Sequence, residues 1–244
     1  MLEAAFWGLI AGSMLVVGAL LALFIDVPRR LVAAVMAFGA GALISALAFD
    51  LTQEAFATGG TGPVALGLAA GAVVYYTGDR LISRIGRQEH SGGDKDEAQP
   101  KTHGLAIVLG ALLDGIPESI VLGASLIGGL GVSVSFLAAV AVSNLPEGLA
   151  GTRDLTDEGH GRRFVLGTWI VVALASGVAA AIGFLTFDTM RPETVAIVQA
   201  FAAGAILTML ADTMIPESHE EGGAVVSLVV VLGFAVAFFL STAS

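Results

Sequence analysis

Two short stretches of the chain carry the residues best suited to chemistry. Asp114-Gly115-Ile116-Pro117-Glu118-Ser119 and Ser143-Asn144-Leu145-Pro146-Glu147-Gly148 both read polar-x-x-Pro-Glu. Positions i, i+3 and i+4 share a helix face, so Asp114 lines up with Glu118, and Ser143 and Asn144 with Glu147. A proline inside a helix has no N–H to donate, which leaves the carbonyl of Leu113 before Pro117, and that of Val142 before Pro146, without its intrahelical partner. The donors gathered in this way, Asp114, Glu118, Asn144, Glu147 and Ser143 with the freed carbonyls, are all oxygens. Such a set suits hard or borderline divalent cations such as Mn²⁺, Fe²⁺, Mg²⁺ or Ca²⁺, and Zn²⁺ also accepts carboxylates. The plainer reading of a single Pro-Glu pair is a kinked helix with a proton-relay or interface residue.

The elements that position these residues must lie in lipid. The chain is 56% hydrophobic and 13% charged, against about 25% charged in a soluble domain. Apolar runs near the roughly 20 residues that cross a bilayer's hydrocarbon core recur at 4–24, 32–57, 63–79, 104–127, 132–152, 164–187, 194–215 and 224–241. They predict an all-α, polytopic membrane protein of eight spans, forming a single domain over 1–244. The 32 glycines fit close helix contacts. The first run lacks a basic flank and reads as a true helix rather than a signal peptide. There is no cysteine, so thiolate metal sites and disulfides are excluded. The acidic motifs fall inside spans 4 and 5. One charged carboxylate at mid-membrane costs about 3 kcal/mol even on the lenient insertion scale, and three cost about 9 kcal/mol. No Lys or Arg lies within either span to offset Asp114, Glu118 and Glu147. Protonation, hydration or a bound cation must balance them, and a cation accounts for all three together.

Ten of the eleven Lys and Arg follow spans 1, 3 and 5, and only Arg191 follows span 6. Basic residues stay on the cytoplasmic side, which predicts both termini outside. The polar stretch 80–101 after span 3 predicts a flexible cytoplasmic loop, in which His90 and nearby acids meet metal weakly at most. His103 and His160 read as ordinary interface histidines. Ala37 to Glu54 and Ala200 to Glu217 coincide without a gap at eight positions, including Gly41 with Gly204 and Glu54 with Glu217. These are spans 2 and 7, which run in opposite directions, so the expected plan is an inverted repeat of spans 1–3 and 6–8 around spans 4 and 5, a transporter pattern. Chance likeness between Ala/Gly-rich helices is the alternative. Span 7 ends in Asp212, Glu217 and His219, an expected exit vestibule or a plain solvated helix end. Asp50 and Glu54 stand toward the outer end of span 2, as a cation-gathering mouth or again a solvated end.

With these residues in place, the chain resembles the ZIP divalent-metal transporters, within them the GufA-like prokaryotic branch. The resemblance rests on the eight-span outline, the polar 3-to-4 connection, the paired Pro-Glu motifs and AGAILTMLADTMIPESHEEGG in span 7. The family's signature reads His-Asn-x-Pro-Glu-Gly. Asn144, Pro146, Glu147 and Gly148 match it, whereas Asp114, Gly115, Ser119 and Ser143 depart from it. Where the family often places Glu-Pro in span 6, this chain has Ala175-Ser176-Gly177, which makes Ser176 a weak ligand and leaves one principal metal site. The resemblance implies a divalent metal ion (Zn, Fe, Mn or Cd) as transported substrate, uptake toward the cytoplasm, a homodimer in the cell membrane, and spans 1, 4, 5 and 6 moving against spans 2, 3, 7 and 8. It implies no cofactor, no enzymatic activity and no nucleic-acid partner. Two other readings stay open: the same fold cycling protons to drive another solute, and an intramembrane enzyme using Asp50 and Asp212. Spans 2 and 7 align as repeat mates rather than as a catalytic motif, and no His-Glu-x-x-His is present.

Overall fold

Proline and glycine mark where the helices begin and end in the computed structural model, which describes residues 1–88, 102–127, 132–187 and 189–243. Helix α1 spans Leu2–Phe24; Pro28 then precedes α2, Arg29–Ala46. A wider π-helical stretch, Leu47–Thr52, continues α2 into α3, Gln53–Gly59. After Gly60, α4 runs over Thr61–Gln88. Helices α5 (Thr102–Ala124), α6 (Val134–Asp157) and α7 (Arg162–Phe187) follow. Pro192 opens α8, Pro192–Met209, which passes through a second π-helical stretch, Leu210–Met214, into α9, Ile215–Gly222. One 3₁₀ turn then leads into α10, Val226–Ala243.

By length and composition, six of the described segments can cross a membrane: Leu2–Phe24, Arg29–Gly59, Ile107–Ala124, Val134–Asp157, Arg162–Phe187 and Pro192–Thr242. Helix α4 is not among them, because glycine, tyrosine and threonine dilute its apolar part before the charge at Asp79. The segment 192–242 is one apolar run in composition but breaks at Gly223. The loop expected over 80–101 needs correction at its start. Helix α4 continues to Gln88, with the Arg80 guanidinium stacked 4.8 Å from the centre of the Tyr76 ring one turn earlier. His90 and the acids after it lie outside the described residues.

The aligned segments 37–54 and 200–217 run into matching backbone breaks. The two π-helical stretches start at the aligned positions Leu47 and Leu210, and the helices after them end on the aligned Gly60 and Gly223, both at φ +71°, a conformation that favours glycine. Their packing corresponds as well: α2 lies against α10 and α4 against α8. A Cβ on Gly41 would fall 1.9 Å from the Val230 carbonyl oxygen, and one on Gly204 2.2 Å from that of Leu68, so both positions require glycine.

Two helix groups result. Helix α1 packs on α6 and α7, and α5 on α7; α2 packs on α10, and α4 on α8. The groups meet where α2 lies on α6 and α4 on α5. Alanines and glycines fill the interior, while Phe6, Val73, Val178 and Leu228 are among many large apolar side chains facing outward, as lipid contact requires.

Candidate functional site

Both motif prolines sit inside continuous helices, Pro117 in α5 and Pro146 in α6, so each helix passes its carboxylates through the bundle rather than ending at them. Gly148, after Glu147, lets α6 approach α1: a Cβ there would come 2.2 Å from the Leu15 carbonyl oxygen. The Asn144 amide nitrogen donates to the Ala11 carbonyl of α1 at 2.9 Å, fastening the two helices one turn before Glu147.

Asp114 and Glu147 line one cavity of about 460 Å³, together with Asp79 and Tyr75 of α4, Asp154 of α6, and Thr213 and Glu217 of the α8–α9 segment. Met36, Met209, Met214 and Trp169 supply much of its apolar wall. The Tyr75 hydroxyl donates to Asp114 Oδ1 at 2.6 Å. Glu118 is buried, at 2% exposure, beside the cavity. It lies within charge–charge range of Asp114, and Glu147 within range of Asp114, Glu118 and Glu217. No lysine or arginine lines this cavity among the described residues. Among those residues, too, no three His, Cys, Asp or Glu side chains converge closely enough to hold an ion by themselves. Coordination in this arrangement therefore needs other oxygens, such as water, an amide or the carbonyls left free by the prolines.

A second cavity, about 360 Å³, adjoins the first through the shared residues Met36, Ala150, Asp154 and Glu217. Asp26, Arg29, Arg153, Asp157 and Glu221 also line it. Here α1 and α6 end and α2 begins, so it opens at the arginine-rich end of the bundle. Arg29 pairs with Glu221 at 3.4 Å, and Arg153 donates to the Val27 carbonyl in the α1–α2 connection. The acidic lining thus runs from mid-bundle to this basic end.

The remaining candidates divide sharply. Glu217 lines both cavities. Asp212 and His219 from the same stretch are exposed and line neither. Ser143 packs against Gly39 of α2 and donates to Val140 of its own helix at 2.9 Å, which takes its hydroxyl proton away from the carboxylates. Ser176 likewise donates within its helix, to Val172, although it faces Gly115, where a Cβ would lie 3.7 Å from its hydroxyl. At the end opposite the cavities, Asp50 Oδ2 accepts from Ser135 at 2.5 Å and from Ser133 at 3.0 Å. Ser133 caps α6, so Asp50 meets a helix N-terminus as well as two hydroxyls. Glu54 faces Gln199 near Asp50.

Tyr75, Asp79, Asp154 and Thr213 were not among the residues expected from the motifs. Asp154 had a legible signal, seven residues and two turns beyond Glu147 on the same face. Tyr75 and Asp79 form an i, i+4 pair, but only the packing of α4 against α5 shows that they meet Asp114.

No protein-family model matches the chain. Over 188 residues, 75% of this chain, it is 27% identical to a protein of Arabidopsis thaliana named "Putative zinc transporter". The match covers 29% of that relative, so the chain spans less than a third of its length.

Proposed function

We propose that the chain carries divalent metal cations of the Zn, Fe, Mn or Cd class across a membrane, toward the cytoplasm, through a site built on Asp114, Glu118 and Glu147. The reading takes α1, α2–α3, α4, α5, α6, α7, α8–α9 and α10 as eight spans with both termini outside, and the shared breaks of α2–α3 and α8–α9 as the mark of an inverted repeat. The observation that carries it is the acidic cavity leading from Asp114 and Glu147 to Glu217 and the basic end. Carboxylates of one sign with low-dielectric walls concentrate cations locally, and the cavity encloses about 460 Å³. The likeness to a protein named as a zinc transporter points the same way.

In this cycle Glu147 and Asp114 contact the ion from the cavity, and Glu118 adds charge from the buried side. Asn144 holds α6 on α1, and Glu217 receives the ion on its way out. The test is uptake of Mn²⁺, Zn²⁺, Fe²⁺ or Cd²⁺ into proteoliposomes. Wild type accumulates at least one of them, and Glu118→Ala or Glu147→Ala abolishes uptake while retaining wild-type elution and thermal unfolding. Normal uptake by both variants removes these residues from the mechanism.

One observation favours a second reading. The described acids do not converge as a ready three-carboxylate site, and Asp114 is held by a phenol. The same residues then serve a proton that drives another solute. Proton flux in vesicles containing no divalent metal supports this alternative.

A further inference from the structure

Tyr75 is more than wall material for the cavity. It is 3% exposed, and its hydroxyl reaches out of α4 to the Asp114 carboxylate on α5 while Thr213 of the α8–α9 segment lies beside the same phenol. Its two ends therefore belong to different helix groups, α4 packing with α8 and α5 with α7. The ring sits in the buried apolar core; across the divide its hydroxyl makes a short hydrogen bond to a carboxylate, the stronger class of such bonds.

We infer that Tyr75 is a positioning residue that ties the two helix groups through Asp114 and holds the bundle in the arrangement whose cavity opens at the basic end. The tie has two consequences. It fixes the rotamer of Asp114 by engaging Oδ1, so one carboxylate oxygen is left for a cation. It must also be given up or stretched whenever the groups slide past each other, because its partners ride on opposite sides of the divide. Loss of a hydrogen bond to a charged group shifts a two-state balance by roughly tenfold or more. Tyr75→Phe, which keeps the ring and its packing, therefore lowers the share of molecules open at the basic end.

The inference rests on the alternating cycle of the reading above but not on its cargo. The chain has no cysteine of its own, so one introduced thiol reports cleanly. Ala150→Cys places it on the lining shared by both cavities. A membrane-impermeant maleimide, applied to either side of sealed vesicles without added metal, reads access to it. Tyr75→Phe slows labelling from the basic-end side about five- to tenfold, with the midpoint of thermal unfolding unchanged. An unchanged labelling rate overturns the inference. If Tyr75→Phe fails to fold, Asp114→Ala removes the same bond from its other end and must reproduce the slowing. Where both fold, the double variant is no slower than either single one; additive slowing also overturns the tie. Metal uptake by the wild-type protein is measured separately. Absent uptake with slowed labelling removes the transport reading and leaves the tie, whereas uptake with unchanged labelling does the reverse.

Discussion

The two aligned segments, 37–54 and 200–217, run into one backbone device at opposite ends of the bundle. In both, a helix widens into a π-helical stretch and then ends on a glycine at φ +71°. Yet Asp50 and Glu54 in the first segment meet Ser133, Ser135 and Gln199, whereas the aligned Thr213 and Glu217 in the second line the cavity of about 460 Å³. The difference lies not in the break but in what faces it. At one end, the capped N-terminus of α6 presents hydroxyls to an acid; at the other, Asp154 and Asp157 of the same helix line a cavity with Glu217, Glu221 and the arginines Arg29 and Arg153.

That contrast can be broken at several strengths. The largest effect falls on two matching close approaches: Gly41→Val and Gly204→Val each drive a side chain into a backbone carbonyl, costing about 3 kcal/mol or more by overpacking. Thermal unfolding in detergent should show two similar losses, while Gly62→Ala, where a Cβ meets nothing within 4 Å, leaves the midpoint in place. Unequal losses at Gly41 and Gly204 dissolve the equivalence of the two segments. Next, Asp50→Ala takes the acceptor from two serines and a helix terminus and should cost about 1–2 kcal/mol. The midpoint of thermal unfolding in detergent checks it; an unchanged midpoint removes Asp50 as the partner of the α6 N-terminus. Smaller still, Glu217→Gln removes one charge from the exit and should raise the KM for metal about threefold with Vmax retained, whereas exposed His219→Ala should alter neither. A response at His219 equal to that at Glu217 moves the exit off the mapped cavity.

Much of this was legible in the residues because hydrocarbon leaves few choices. Apolar runs had to be helices, and acids within those helices had to face inward, as Asp114, Glu118 and Glu147 do. The equivalence of Gly41 and Gly204 could be read from an ungapped alignment. What could not be read were contacts that depend on the rotation of one helix against another. Ser143 shares a stripe with Glu147 in sequence, but its short side chain finds a carbonyl one turn back before it can reach across the bundle. Asn144 spends its donor on α1. Tyr75, in a run that reads as ordinary wall, proves to be the group that touches Asp114.

The Asn144 bond to Ala11 bears on how an ion would travel. With the amide clamped to α1 and the Gly148 backbone seated on Leu15, the N-terminal helix and the site-bearing helix share one frame. Any stroke that displaces Glu147 carries α1 with it as a passenger, together with the lipids that coat its outer face. A spectroscopic label on exposed Phe6 would then keep time with Glu147.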